Sequence, residues 1–315
     1  MLAFSNGAAY LFLDHIATHN VDTTIADKQS WNILSLVNWG TEYLQKKEVE
    51  SPRLTVELLL SRVLGCSRIE LYTNFDKPLL PRDLAAFKQM FKRRVTHEPL
   101  QYILGDTEFM GLHFLVDRRV LIPRPETELL VEQVIKESAA PALQRILDIG
   151  TGSGNIAVSI AHYLSGVKVD AIDVSGEALA VAETNIRAHG LSDRVKLLLL
   201  DILRSDAELP TREYDLIVSN PPYVSREEFT HLAPEIRDHE PSIATTDEAD
   251  GFTFFRRIAT VAKRLLRVGG KIFLEVGYGQ AGDVAEIFAK QGYEAVMTIP
   301  DYQGIERVLR ITSAA

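Results

Sequence analysis

Cysteine is almost absent. Cys66 is the only one in 315 residues, which excludes an internal disulfide framework and a cysteine-rich zinc site. Long hydrophobic runs are lacking too. The early apolar stretch Ala8–Ala17 is broken by Asp14 and His15, is too short to span a bilayer, and lacks the basic start of a signal peptide. These absences predict a cytoplasmic protein with no membrane partner. Positive charge is also short: 34 Lys and Arg stand against 43 Asp and Glu, a net charge of −9. Such a chain is a poor overall match to a phosphate backbone, so no direct nucleic-acid partner is expected. The one basic run, Lys88, Lys92, Arg93 and Arg94, reads as a solvated helix face. The eight histidines form no ligand set. His231 and His239, near Asp238 and Glu240, read as loop polar groups, and no metal is expected.

What is present divides by pattern. The length suggests two domains. Residues 1–28 show no strong period and read as an extension. From residue 29 to about 98 the pattern is helical. Trp31, Leu34 and Val37 share a face, Ser51-Pro52 reads as a cap and first helical residue, and Ser67 with Glu70 reads as a capping box. Pro81 opens a further helix carrying Leu84, Phe87, Phe91 and Val95 on one side. Trp31 and Trp39 are expected in its core. Residues 99–125 read as a linker with a β-hairpin, extended from Glu108 to Ile122 with a turn at Asp117-Arg118. Residues 126–315 then alternate strand and helix. Strands are expected at Arg145–Ile149, Val167–Ile172, Val195–Leu200, Tyr214–Ser219, Lys271–Val276, Glu294–Ile299 and Glu306–Ile311. A helix over Phe252–Leu266 is expected to stop at Gly269-Gly270. This alternation implies an α/β fold, with a mostly parallel sheet covered on both faces.

The segment Asp148-Ile149-Gly150-Thr151-Gly152-Ser153-Gly154 follows a strand and opens a helix, where parallel sheets bind ligands. Gly152 to Ala157 also fits the dinucleotide fingerprint G-x-G-x-x-G/A. An acid at Asp148 disfavours a pyrophosphate and suits the cationic end of S-adenosylmethionine. Asp173, about 20 residues on at the next strand end, is placed to accept from ribose hydroxyls. Asp201, ending the third strand, is placed to accept from the adenine amino group. The cofactor set is therefore Asp148, Gly150, Thr151, Gly152, Gly154, Asp173 and Asp201, with Asn220 beside it.

Asn220-Pro221-Pro222-Tyr223 follows the fourth strand. Two prolines fix φ and remove two backbone donors, leaving carbonyl acceptors. The Asn220 side chain adds an acceptor and Tyr223 an aromatic wall. Together they suit an –NH2 on a planar π system, oriented by hydrogen bonds to the Asn220 oxygen and the Pro221 carbonyl. Asn220, Pro221 and Tyr223 are the expected catalytic residues, with Pro222 among the substrate contacts.

With these motifs in place the chain resembles the HemK/PrmC family, protein-(glutamine-N5) methyltransferases of class 1 peptide chain release factors. The resemblance runs from about Ser30 to the end. Besides the two motifs, it includes His97–Ile103, Glu108–Leu112, Ile122–Glu128 and Glu240-Pro241. It implies a seven-stranded Rossmann-like class I methyltransferase domain behind a small all-helical, substrate-docking domain. It also implies S-adenosyl-L-methionine as cofactor and S-adenosyl-L-homocysteine as product. The substrate implied is the glutamine of a Gly-Gly-Gln loop, with Leu121 and the segment 124–127 lining the site. The chain departs from the family pattern at Leu200, where Gly often precedes the acid. An amino-methyltransferase acting on adenine or guanine in DNA or RNA would share the Asn-Pro-Pro-Tyr chemistry but should carry a basic recognition face. A nicotinamide-dependent oxidoreductase would leave Asn220–Tyr223 without a role. A scaffold that binds cofactor without turnover would not need Asn220.

Overall fold

The computed structural model describes residues 30–137, 145–206 and 209–313, so the expected extension over residues 1–28 lies outside the described residues. By its contacts the chain divides into two units, Met1–Leu104 and Gly105–Ala315.

The first unit is helical where described: α1 (Ile33–Lys46), α2 (Pro52–Leu64), α3 (Arg68–Thr73), α4 (Pro81–Val95) and α5 (Leu100–Leu104). Asn32 caps α1 by accepting from the Ser35 amide at 2.8 Å. Ser67 and Glu70 form the capping box read from the sequence. Ser51 does not cap α2 with its side chain: its φ of 47° puts it in the left-handed region, and Pro52 alone opens the helix. Leu36, Leu59, Leu60, Phe87 and Phe91 are fully buried and form the core, with Trp31 buried and Trp39 packed against it. The basic run is not merely a solvated face. Arg93 forks onto the Glu98 carboxylate, and buried Arg94 donates to the Glu98 carbonyl, so two of its members fasten the end of α4 to the chain that follows.

The second unit opens with a hairpin, β1 (Asp106–Phe109) and β2 (Leu112–Leu115). Its turn is Met110-Gly111, both at positive φ as a type I′ hairpin turn requires. Asp117-Arg118 lies in a separate turn, closed by Val120 N–H onto the Asp117 carbonyl. Then follow α6 (Pro125–Glu137), β3 (Arg145–Ile149), α7 (Asn155–Tyr163), β4 (Lys168–Asp173), α8 (Gly176–Ala188), β5 (Val195–Leu199) and β6 (Tyr214–Ser219). Three short helices, α9 (Arg226–Phe229), α10 (Pro234–His239) and α11 (Ser242–Thr245), lead to α12 (Thr253–Leu265), β7 (Leu266–Glu275), α13 (Ala281–Lys290), β8 (Ala295–Pro300) and β9 (Glu306–Thr312).

The seven strands run β5-β4-β3-β6-β7-β9-β8. β9 is antiparallel to both its neighbours and the remaining pairs are parallel. Order reverses at β3 and β6, so the crevice for a ligand opens at their carboxyl ends. Two apolar layers cover the sheet. Leu147, Ile149, Ile217 and Ile272 point to one, with α12 and α13; Ile146, Leu216, Val218 and Phe273 point to the other, with α6 and α7. Gly269-Gly270 does not stop the preceding helix. α12 ends at Leu265, and the glycines lie in an irregularity of β7 where Tyr214 pairs with Leu266 but Leu216 pairs with Lys271. No helix among the described residues is long and apolar enough to cross a membrane.

Candidate active site

The loop after β3 is held against β4. The Gly150 and Thr151 amides both donate to the Ile172 carbonyl, at 2.9 and 3.0 Å. Gly154 adopts φ +81° at the mouth of α7, and a Cβ there would meet the Ala182 Cβ at 3.3 Å, so glycine serves both conformation and close helix packing. Asp173 ties the loop to the end of β4: one oxygen accepts from the Ser175 amide and the other from the Gly152 amide, each at 2.9 Å. Burial raises its pKa. Asp148 is fully buried beneath the loop and accepts from the Thr151 hydroxyl at 2.6 Å, while its other oxygen has no hydrogen-bond partner among the described residues. Burial, together with nearby Asp173, pushes its carboxyl up to about 7.

Next to this loop, the Ser219 hydroxyl donates to the Ile149 carbonyl at 2.6 Å, which fixes the end of β6 beside the end of β3. Asn220 therefore emerges at the same crevice. Its Nδ2 donates to the hydroxyl of buried Thr127 on α6 at 3.1 Å, which leaves Oδ1 as the acceptor not used there. Pro221 is buried; Pro222 and Tyr223 are half-buried. Behind them, Gln280 donates to the Tyr223 carbonyl at 2.9 Å and accepts from the Gly277 amide at 3.0 Å. Gly251 is needed here: at φ +85°, an added Cβ would stand 2.6 Å from the Tyr223 carbonyl oxygen.

One cavity of about 210 Å³ joins the two motifs. Leu121, Gly150, Thr151, Gly152, Asp173, Asp201, Asn220, Pro221 and Pro222 line it, as do Arg124 and Thr127. Asp148, Gly154 and Tyr223 do not: the first sits behind Thr151, the second packs against Ala182, and the third directs its hydroxyl toward Glu275. Asp201 accepts from the Leu203 amide at 3.0 Å and pairs with exposed Arg204. Ile202, Leu203, Val174 and Phe254 add apolar wall beside it.

The donor set fits a ligand with a cationic end and no phosphates. Asp173 and Asp201 face the cavity, and Asp148 accepts from Thr151, which lines it. The two cations at the wall are engaged elsewhere, Arg119 with Asp117 and Arg124 with Glu240, both at 2.6 Å. Asp148, Asp173 and Asn220 were legible from their positions at strand ends. Two other groups were not. Glu240 reads in sequence as loop polarity and, with Pro241, as part of the family resemblance with no role attached, but it is buried and anchors Arg124 over the cavity. Glu275, at the end of β7, is buried and faces the Tyr223 hydroxyl at 3.4 Å; an acid closing an apolar strand was the available signal.

Two family models match the chain: the PrmC N-terminal domain over residues 35–105 and the methyltransferase small domain over residues 125–237. A release factor glutamine methyltransferase of Geobacter sulfurreducens is 43% identical over 279 residues, covering 89% of this chain and 96% of that protein. One of Bordetella pertussis is 44% identical over 258 residues, covering 82% and 93%. A solved protein-(glutamine-N5) methyltransferase of Alicyclobacillus acidocaldarius is 35% identical, covers 64% of this chain and 100% of its own, and superposes with a TM-score of 0.38. Identity at this level over nearly the whole of both chains, with the strand order and the paired motifs above, makes this chain a member of the release factor glutamine methyltransferase family.

Proposed function

We propose that the chain transfers a methyl group from S-adenosyl-L-methionine to the side-chain amide nitrogen of the glutamine in the Gly-Gly-Gln loop of class 1 peptide chain release factors. S-adenosyl-L-homocysteine is left, and the reaction belongs to the cytoplasm, where release factors work. The observation that carries the reading is the Asn220 amide. Its nitrogen is committed to Thr127, so its oxygen is the end offered to a substrate –NH2. The cofactor supplies an electrophilic methyl group on a sulfonium; the other tasks fall to the chain. Asp148 and Asp173 suit the cationic end and the ribose, and Asp201 with Ile202 and Leu203 suits the adenine.

An amide nitrogen is a weak nucleophile because its lone pair is delocalised. Hydrogen bonds from its two N–H groups to Asn220 Oδ1 and the Pro221 carbonyl orient that lone pair and stabilise positive charge developing on nitrogen. No strong base is needed before transfer, because the methylated nitrogen is acidic and releases its proton to water. The acidic net charge favours this protein substrate over the second reading, an adenine or guanine of nucleic acid. The helical unit, about residues 29–98, is proposed to dock the substrate protein. A short glutamine peptide should then show much lower kcat/KM than an intact release factor.

The test is labelled-methyl transfer to an intact release factor, with the methyl located by mass spectrometry. Asn220→Ala should fold, bind cofactor within about twofold of wild type, and lose on the order of 10²–10³ in kcat. Wild-type turnover in that variant, or methyl found elsewhere than on glutamine, sinks the reading.

A further inference from the structure

We infer that Asn185 is a positioning residue for cofactor binding: its side-chain amide fastens the cofactor loop, at the Ser153 carbonyl, to the β1–β2 hairpin. The inference rests on the reading of Gly150–Gly154 as the loop that receives the cofactor.

The contacts are backbone groups of fixed polarity. Asn185 lies on α8 and is 1% exposed. Its Nδ2 donates to the Ser153 carbonyl at 2.9 Å and to the Leu115 carbonyl at 3.0 Å, and its Oδ1 accepts from the Leu115 amide at 2.8 Å. A carbonyl only accepts and a backbone N–H only donates, so the place demands two donors and one acceptor on one short side chain. Asparagine meets that demand. Leucine, of similar size, would fill the space and meet none of it. The helix itself has no use for the amide. Asparagine is a poorer helix former than leucine, and none of its three side-chain bonds stays within α8.

The position of the Ser153 carbonyl ties these bonds to the ligand. Ser153 lines the cavity and stands between Gly152 at φ +55° and Gly154 at φ +81°. Glycine on both sides leaves the local backbone many conformations unless neighbours fix it. The Gly152 amide is fixed from β4 by Asp173, and the Ser153 carbonyl is fixed from α8 by Asn185. Ala182, three residues earlier and on the same face of α8, packs against Gly154. The Leu115 end of the amide has a firm base. At the hairpin turn, Tyr163 on α7 donates to the Met110 carbonyl and Glu128 on α6 accepts from the Met110 amide, both at 2.6 Å. His189, just past α8, meets the His113 carbonyl at 2.8 Å. Beyond β2 the chain goes on to line the cavity at Arg119, Leu121 and Arg124. One buried amide thus joins the cofactor loop to the strand that leads into another part of the cavity lining.

The test uses the full chain, with S-adenosyl-L-homocysteine as the calorimetric probe, urea unfolding for stability, and methyl transfer to an intact release factor. Asn185→Leu should raise the Kd about 10- to 30-fold, through loss of buried, directed hydrogen bonds. The KM for S-adenosyl-L-methionine should rise with it, while kcat at saturation stays within about threefold. Asn185→Asp keeps the acceptor but sets a carboxylate against two carbonyls, so it should bind at least as weakly as Asn185→Leu. Ile186→Val, a buried change in the apolar layer beside it, should lower stability and leave the Kd within about twofold. A wild-type Kd in folded Asn185→Leu would overturn the inference, as would an equal rise in Ile186→Val, which would make affinity a mere reflection of stability. If Asn185→Leu does not fold, Asn185→Asp decides by the same measurement. Undiminished affinity in Asp173→Ala would instead remove the reading of the loop beneath it, whereas a weakened Asp173→Ala with a normal Asn185→Leu removes this inference alone.

Discussion

Glu57 in the helical unit and Glu275 in the methyltransferase unit are both withdrawn from water, at 1% and 2% exposure, yet their surroundings drive them in opposite directions. Burial acts to raise Glu57, but the Tyr72 hydroxyl and the Arg68 and Arg53 guanidinium groups outweigh it and hold the carboxyl below its ordinary value. Tyr72 donates at 2.6 Å, Arg68 at 2.7 Å and Arg53 at 2.9 Å, so both oxygens are satisfied. Glu275 has hydroxyls for company and no guanidinium within ion-pair reach among the described residues, and burial wins. A buried acid surrounded by cations ties helices together. A buried acid left among hydroxyls is poised near neutrality, and such sites gather where chemistry is done.

The largest expected effect separates the two by pH. The Glu275 carboxyl rises from 4.5 to about 7, so between those values the folded protein holds a proton that the unfolded chain has released. Its contribution to stability therefore falls as pH rises through that window, by about 3 kcal/mol. Glu275→Gln should remove this slope and be more stable than wild type at pH 8, with little difference near pH 4. Urea unfolding across pH 4–8 measures it, and an unchanged slope would break the comparison.

Glu57 carries the opposite sign: its contribution is present above the ordinary carboxylate pKa and is lost as pH falls below it. Glu57→Ala should cost about 2 kcal/mol at pH 7.5, less than a fully enclosed ion pair because Arg53 and Arg68 are nearly half exposed and can hydrate. The kcat of the folded enzyme should stay within about twofold. A large fall in kcat without loss of stability would put Glu57 in the working machinery and dissolve the contrast.

The smallest effect tests Asp148, the other acid pushed up to about 7. On the proposed reading, the cationic end of the cofactor lies near it and favours the ionised form, so binding at pH 7 should release roughly half a proton from this group. Calorimetry in buffers of different ionisation enthalpy reads that release, and Asp148→Asn should abolish it while weakening affinity about tenfold. Release undiminished in Asp148→Asn would assign the proton elsewhere.

The sequence by itself determined the alternation of strands and helices, because burial on both faces of a parallel sheet imposes apolar runs such as Ile146–Ile149 and Tyr214–Val218 that any period reading finds. It also determined where Asp148, the glycines, Asp173 and Asn220 stand: the two acids lie at the ends of β3 and β4, and the glycines and Asn220 follow β3 and β6, so all lie at one edge of the sheet. Local conformation was less legible. Asp117-Arg118 and Gly269-Gly270 carry strong turn chemistry, but the hairpin turns at Met110-Gly111 and the glycines fall inside β7, because strand pairing selects among several permitted turns. Only the tertiary structure decided that Glu240 anchors Arg124 across 116 residues and that Glu275 meets the Tyr223 hydroxyl. A carboxylate's role depends on which hydroxyls and guanidinium groups surround it once water is excluded, and those neighbours come from distant strands and helices whose meeting no local spacing encodes.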